Sequence, residues 1–288
     1  MTVRIGVVGI PLGTVFPKDR TIQTEQVAAA CKAVRPHLVS ALGQIAEVSD
    51  YGDVTLSYDQ DPPSMKELAQ VFDATTQALS DIWKKDSFLV VQGGGCGIAS
   101  GTFAAFAKHF PQGHVLWFDG HADFSTQKTT LSHYLGGLAL ATAVGAADLP
   151  AAIPAAQVTL LSGRGADWNE ISLMNEYGLR HVYPEQIETW LANNLPETDL
   201  YVHFDVDVLE QGVMPAVDLP VFPGISLSLA EQSLQRIAAS GRLRGIEFTA
   251  YNPTLDPQSI GHKTIIHLAT LTASAIKTAS TLQPQAVN

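Results

Sequence analysis

The sequence predicts an α/β fold of three layers, α/β/α, in which helices cover both faces of a central, mostly parallel sheet. Short apolar runs rich in Val, Ile and Leu alternate with amphipathic stretches, which is the pattern of βαβ units. The apolar runs are continuous, as expected for strands that are buried on both faces. No Pro/Gly/Ser-rich linker, low-complexity tract or internal repeat divides the 288 residues. We therefore expect a single domain that spans residues 1–288.

Six segments have the composition and length of buried strands. In chain order they are RIGVVGI (4–10), SFLVVQG (87–93), HVLWFD (114–119), QVTLLSG (157–163), LYVHFDVD (200–207) and LRGIEFTAY (243–251). SMKELAQVFDATTQALSDIWKK (64–85) places Leu68 and Leu79 at helical spacing, which predicts an amphipathic helix. A second helix is predicted in SLAEQSLQRIAAS (228–240), where Ser228 can cap the amino end. Because ligands of such sheets bind where strands end, the residues after these strands are candidates for function.

Composition and charge exclude several classes of protein. The formal net charge of −11 and the isoelectric point of about 5.1 would repel nucleic acids and anionic membranes. The apolar stretches are too short to span a bilayer, and the amino-terminal one lacks the cleavage site of a signal peptide. The two cysteines, Cys31 and Cys96, cannot form a disulfide framework, and we expect Cys31 to be buried in a helix. These features predict a cytoplasmic protein without nucleic-acid or membrane partners.

Two clusters of carboxylates follow predicted strands. WFDGHADFS places Asp119, His121 and Asp123 at positions i, i+2 and i+4, so that in extended backbone they project to one side, and Asp205 and Asp207 repeat the arrangement. Burial of unpaired carboxylates costs free energy, and a cation among them offsets that cost. Helix caps or turns would explain one such cluster, but they are a weaker explanation for two. These hard donors suit Mn2+ or Mg2+. Four carboxylates exceed the needs of one ion, so we predict two ions that share a carboxylate and a water deprotonated to hydroxide.

These motifs resemble the signatures of the arginase/agmatinase (ureohydrolase) family. The likeness rests on WFDGHADF (117–124) and HFDVDVLEQGVMPAVDLPVFPGIS (203–226), and it extends to VSDYGDV (48–54), LLSGRGADWNEI (160–171) and EFTAYNPTLDP (247–257). The resemblance implies a binuclear manganese enzyme that hydrolyses a C–N bond of a guanidino compound or linear amidine by attack of metal-bound hydroxide. It also implies a small-molecule substrate and a homo-oligomer, either a trimer or a hexamer.

The resemblance assigns a role to each clustered residue. Asp119, His121, Asp123, Asp205 and Asp207 match five of the six metal ligands of the family, and Asp123 matches the group that orients the hydroxide and accepts its proton. The sixth ligand, a histidine, belongs to a G-G-D-H motif that reads Gly-Gly-Gly-Cys at residues 93–96.

Cys96 therefore stands in the position of a metal ligand. A thiolate there would add a negative charge and favour thiophilic ions. Ligation is the favoured interpretation because the subgroup that hydrolyses hydroxyarginine is similar in carrying cysteine at this point. The alternative is a small buried residue beside a vacated ligand position.

Two further positions depart from the family pattern. The proton-shuttle histidine is expected at Gly136, and His133, three residues earlier, is either its replacement or a solvated loop residue. The glutamate that pairs with the guanidinium is replaced by Ala250. Glu247 is three residues upstream, so on a strand it points to the opposite face and cannot take that role.

Other substrate positions are retained. Ser125 and Ser132 match groups that hold an amino-acid carboxylate, and Asp167 and Glu170 match carboxylates near the substrate α-amino group, although ordinary turn polarity explains both pairs nearly as well. We therefore expect an amino-acid-like substrate with an altered far end. The alternative function is a catalytically impaired relative that acts as a metal- or ligand-binding protein. The mononuclear, zinc-dependent deacetylases of related fold are a less suitable alternative, because their ligand clusters are shorter.

Overall fold

A computed structural model describes residues 3–13, 24–57, 65–131, 134–147 and 149–282. The described residues form eight strands in one sheet, with the spatial order β2-β1-β3-β8-β7-β4-β5-β6, and every neighbouring pair is parallel. The strands are β1 (Arg4–Ile10), β2 (Glu47–Asp53), β3 (Phe88–Gly93), β4 (His114–Asp119), β5 (Val158–Ser162), β6 (Arg180–Val182), β7 (Leu200–Asp205) and β8 (Leu243–Thr249).

Helices cover both faces of the sheet. They are α1 (Ala30–Leu42), α2 (Met65–Trp83), α3 (Ala99–His109), α4 (Ala139–Ala143), α5 (Trp168–Tyr177), α6 (Ile187–Asn194), α7 (Leu227–Ala239) and α8 (Ile260–Leu282). One hydrophobic core lies beneath α1, α6, α7 and α8, and a second lies beneath α2 to α5. Strand residues alternate between the cores: Val90 packs into the first and Val91 into the second. The predicted three-layer α/β/α fold is confirmed.

The six predicted strands are all present, and two more lie at the edges of the sheet. The additional strands, β2 and β6, are only partly buried, so they lack the continuous apolar run that predicts an inner strand. The amino-end cap of α7 is Ser226, whose Oγ accepts the Leu229 N–H, and not Ser228, which lies within the helix. Cys31 is fully buried on α1, as expected, and burial raises the pKa of its thiol to about 12. Among the described helices, none combines the length and apolarity required to cross a membrane.

The sheet brings the candidate ligands to one edge. Because all strands are parallel, their carboxyl ends meet, and the four central strands β3, β8, β7 and β4 end side by side. The glycines after β3 allow a close approach of backbone at this edge: a Cβ at Gly94 would lie 2.0 Å from the Leu12 carbonyl oxygen. The glycine run thus packs against the loop after β1.

Candidate metal centre

Three of the predicted ligands lie where three of these central strands end. Cys96 begins a 3-10 turn after β3, Asp205 is the last residue of β7, and Asp119 is the last residue of β4. All three are buried. The Cys96 thiol donates to Asp205 Oδ2 over 2.6 Å, so the cysteine side chain lies among the carboxylates. The fold therefore brings together residues that are far apart in the sequence.

The segment after β4 also reaches the carboxyl edge of the sheet, but its backbone is bent and not extended as predicted. The strand ends at Asp119, and the chain then bends, so that Asp123 has a left-handed backbone with φ of 50°. The expectation of an extended backbone from 119 to 123 is therefore wrong. The His121 N–H donates to Asp119 Oδ1 over 2.6 Å, and the Asp123 carbonyl accepts the Ala141 N–H over 3.0 Å. These contacts hold the bent loop against α4.

Asp207 lies on the far side of the cluster, beside His121. Its Oδ2 is 2.7 Å from His121 Nδ1, and its Oδ1 accepts the Gly120 N–H over 2.8 Å. The Asp207 N–H donates to Asp205 Oδ1, so the two aspartates are held in a tight turn after β7. Arg164 braces this turn because its guanidinium donates to the carbonyl oxygens of Asp207 and Val208.

Two groups of donor atoms share Asp119. The ligand atoms of Asp119, His121 and Asp207 lie within 4.8 Å of one another, and so do those of Cys96, Asp119 and His203. Two donor groups with a common carboxylate are candidate positions for metal ions.

The cluster concentrates negative charge in a buried place. Burial, reinforced by neighbouring carboxylates, raises the pKa of Asp119 and of Asp205 well above the ordinary value. Burial raises the pKa of Asp123 to about 8, although His121 opposes the shift. Burial alone would lower the pKa of His121, but the carboxylates around it, Asp207 foremost, raise it to about 10. A divalent cation would relieve the repulsion that these shifts report.

Burial and neighbouring charges also shift the pKa values of Cys96 and Asp207. Burial, followed by repulsion from Asp205, raises the pKa of the Cys96 thiol well above its ordinary value. Burial would raise the pKa of Asp207, but the adjacent His121 outweighs that effect and lowers it.

Polar residues extend below the cluster into the second core. One of them, His203, is not among the residues predicted from the sequence. Its Nδ1 is 2.6 Å from Glu247 Oε1, and Glu247 Oε2 accepts the Tyr201 hydroxyl over 2.9 Å. All three side chains are fully buried. Glu247 therefore faces the second core, which agrees with the prediction that it cannot substitute at position 250. The signal for His203 was its place two residues before Asp205, on the same face of β7.

A small cavity opens above the cluster. Its lining includes Cys96, His121, Asp123, Asp205, Asp207, Tyr134, Gly136, Asp218 and Ala250. The Tyr134 ring lies against Gly136, so that a Cβ at this glycine would lie 2.5 Å from the phenol oxygen. Asp218 is a carboxylate of the cavity wall that was not predicted from the sequence, and its Oδ1 accepts a hydrogen bond from Asn252 Nδ2 over 2.7 Å.

The predicted substrate residues lie on the far side of the bent loop. Asp167 and Glu170 form a capping box at the start of α5: the Glu170 N–H donates to Asp167 Oδ1, and the Asp167 N–H donates to Glu170 Oε2. Glu170 Oε1 also accepts the Phe124 N–H, and the Ser125 hydroxyl lies 3.4 Å from it. These contacts account for all three residues structurally, so their role in substrate binding stays a prediction. Ser132 and His133 lie outside the described residues.

Replacing Asp167 by alanine separates the two explanations. Loss of the helix cap is expected to lower the free energy of unfolding by about 1 kcal/mol, and thermal denaturation measures this loss. Ser226→Ala, which removes the cap of α7, is the matched control. A rise of KM in Asp167→Ala that Ser226→Ala does not share would contradict a purely structural role.

The fold and the site define the class of the protein: an α/β protein whose parallel sheet brings buried carboxylates together in a candidate metal centre. The sequence matches the family model of the Arginase family over residues 4–277, and the chain belongs to that family. The resemblance stated from the motifs is thereby confirmed.

Individual relatives agree with this membership. The chain is 30% identical over 200 residues to the N(omega)-hydroxy-L-arginine amidinohydrolase of Streptomyces lavendulae, which covers 68% of this chain and 71% of that protein. It is 26% identical over 288 aligned residues to the arginase of Bacillus subtilis, which covers 92% of this chain and 95% of that one. The solved arginase structure from Bacillus caldovelox has the same fold, with a TM-score of 0.83 at 22% identity over 96% of this chain and 98% of that chain.

The family and its members establish the general activity. The protein is a hydrolase that acts on C–N bonds of guanidino or amidino compounds, as predicted.

Proposed function

We propose that the protein holds two Mn2+ ions and hydrolyses a C–N bond of a modified guanidino compound or linear amidine with an amino-acid-like remainder. The observation that carries the proposal is the convergence of one thiol, one imidazole and four carboxylates at a single edge of the sheet. The proposed ligands are Cys96, Asp119, His121, Asp123, Asp205 and Asp207. The cytoplasmic location and the trimeric or hexameric assembly stay predictions.

The residues present fit a pair of divalent ions. The pairs Cys96–Asp205 and His121–Asp207 are in contact at two positions, and Asp119 lies within reach of both. Four buried carboxylates offer the oxygen donors that manganese favours. Burial, together with repulsion between neighbouring negative charges, raises the pKa values of three of them, Asp119, Asp123 and Asp205.

The protein side chains divide the remaining work. When bound, the ions supply the Lewis-acid chemistry that makes water nucleophilic near neutral pH. Asp123 lines the cavity, so its carboxylate can accept a hydrogen bond from the attacking water, orient it and take its proton. His133 lies outside the described residues, and its part in returning that proton to the leaving nitrogen stays a prediction.

The cavity wall carries a carboxylate, Asp218, at a position different from that of the family glutamate. Ala250 cannot pair with a guanidinium, and Glu247 is held below the site by His203 and Tyr201. Asp218 lines the same cavity as Ala250, and Asn252 orients it. We infer that Asp218 receives the N–H groups of the substrate in place of the absent glutamate.

Asp218→Asn tests this inference with little change of shape. We expect kcat/KM to fall about 10- to 100-fold, the range for loss of a hydrogen bond to a charged group. Steady-state kinetics measures the loss. Asp199→Asn serves as the control, because Asp199 directly precedes β7, at the edge of the sheet opposite the cluster. An unchanged kcat/KM in Asp218→Asn would remove Asp218 from the proposed binding site.

The activity itself is tested with manganese-loaded protein and a panel of amidines. Arginine, hydroxyarginine, agmatine, guanidinobutyrate and formimino compounds are assayed for release of urea, hydroxyurea and ammonia or amide. Release from one modified compound in preference to arginine supports the proposal. One bound ion or none, without turnover, would instead support the catalytically impaired relative, which is motivated by the small residues Gly136 and Ala250 in the cavity wall.

A further inference from the structure

We propose that His203 supplies a nitrogen ligand to the ion that Cys96 and Asp119 hold. The inference rests on the proposed metal-dependent function and specifies one of its two metal positions. Residue 96 is a cysteine where the family has a histidine ligand. His203, on β7, would add a histidine nitrogen to that same metal position.

The donor atoms already lie together. The ligand atoms of Cys96, Asp119 and His203 are all within 4.8 Å of one another, and all three residues are buried. His203 is fully buried, with an exposed fraction of 0%. Its Nε2 lies 3.4 Å from Thr249 Oγ1, which is itself 3.4 Å from Cys96 Sγ. These distances are short enough for a single ion to draw the three side chains together.

The contacts of the imidazole leave the correct nitrogen for a metal. A carboxylate only accepts hydrogen bonds, so the 2.6 Å contact makes His203 Nδ1 the donor to Glu247 Oε1. The other ring nitrogen, Nε2, lies 3.4 Å from Thr249 Oγ1 and is the atom left for a metal. A histidine that donates one ring N–H to a carboxylate and offers the other nitrogen is the usual arrangement of a metal ligand.

The surrounding side chains fix the ring. His203 stacks on Trp117 with the ring centroids 3.7 Å apart and an interplanar angle of 16°. The Trp117 indole N–H donates to Asp119 Oδ2 over 2.8 Å, so the same tryptophan orients a carboxylate ligand. Tyr201 fixes the other oxygen of Glu247.

The donor set has chemical consequences. A thiolate, an imidazole and a carboxylate form a softer set than the oxygen-rich group around Asp207, so the two ions differ in environment. We expect the position beside Cys96 to prefer Co2+ or Zn2+ over Mn2+ more strongly than the position beside His121.

The test compares the parent protein with His203→Gln, using Co2+ and Mn2+ alone as probes. We expect two bound ions in the parent protein. In His203→Gln the affinity for one ion falls about 10- to 100-fold or more, and the cobalt absorption spectrum changes. His114→Gln is the matched control, since His114 lies on β4 at the opposite end of the sheet and contacts Thr159. Equal cobalt affinity and an equal spectrum in parent and His203→Gln would overturn the proposal.

A measurement on the parent protein keeps the test valid if His203→Gln does not fold. Crystals soaked in Co2+ are expected to place His203 Nε2 at about 2.1 Å from the ion beside Cys96, the usual distance for imidazole. A separation beyond about 3 Å would overturn the proposal, because it excludes a metal–nitrogen bond. If no ion binds at all, the proposed function fails as well. If two ions bind without His203, only this inference fails.

Discussion

Replacing Asp205 by alanine is expected to reduce hydrolysis by about 100- to 1000-fold, as for removal of a preorganised electrostatic group. Asp205 lies between the two halves of the cluster: one oxygen accepts from Cys96 and the other from the Asp207 N–H. Its loss also removes one of four mutually repelling carboxylates. We therefore expect the metal-free variant to unfold at no lower temperature than the metal-free parent protein.

Two assays decide this prediction. Metal analysis is expected to give fewer than two ions per chain in Asp205→Ala, and kinetics to give the loss of turnover. Asp199→Ala is the control, because Asp199 precedes the same strand and pairs with Arg244 at the opposite end of the sheet. Parent-like turnover in Asp205→Ala would show that the cluster is not the catalytic centre.

The second large effect is stabilisation by manganese, which should increase with pH. At an ion concentration about 1000-fold above its dissociation constant, binding adds about 4 kcal/mol to the free energy of unfolding. This corresponds to a rise of the melting temperature on the order of 10 °C. Protons compete with the ions for carboxylate, imidazole and thiolate, so the rise should be smaller in acid.

The pKa shifts of the metal-free protein determine whether its stability rises or falls with pH. The raised pKa of Asp123, about 8, means that the folded chain keeps a proton that the unfolded chain loses, so stability falls as pH rises from about 4 to 8. The raised pKa of His121, about 10, contributes stability below about pH 6.5 that is lost as pH rises through 10. The lowered pKa of Asp207 matters only in stronger acid.

Melting temperatures at about pH 6 and about pH 8.5, with and without MnCl2, measure this effect. The metal-free protein is expected to melt lower at the higher pH, and the gain from manganese to be larger there. Equal gains at both pH values would mean that the ions do not replace protons at these residues.

The inner part of the fold could be predicted because its strands are buried on both faces. Segments such as HVLWFD (114–119) carry a continuous apolar run, and the strand in the structure has the same bounds. β2 and β6 could not be predicted in this way, because an edge strand such as EVSDYGD (47–53) is half-exposed and carries polar residues. The position of a strand at an edge is a property of the whole sheet, which local sequence does not record.

The candidate site was predictable where chemistry is concentrated in short motifs. Asp119, His121 and Asp123 are recognisable because they follow one another after a strand. His203 and Asp218 could not be assigned, since their importance depends on contacts with Glu247 and Asn252, which are distant in the sequence. Asp167 and Glu170 were recognisable in the sequence, and the structure adds that they form the capping box of α5.

Anomalous scattering from crystals of protein purified without chelator tests the central claim most directly. The predicted result is two ions per chain beside Asp119, with Cys96 Sγ at about 2.3 Å from one of them. A single ion, or none, or a Cys96 sulfur outside bonding distance of two well-ordered ions, would contradict the proposed six-ligand centre.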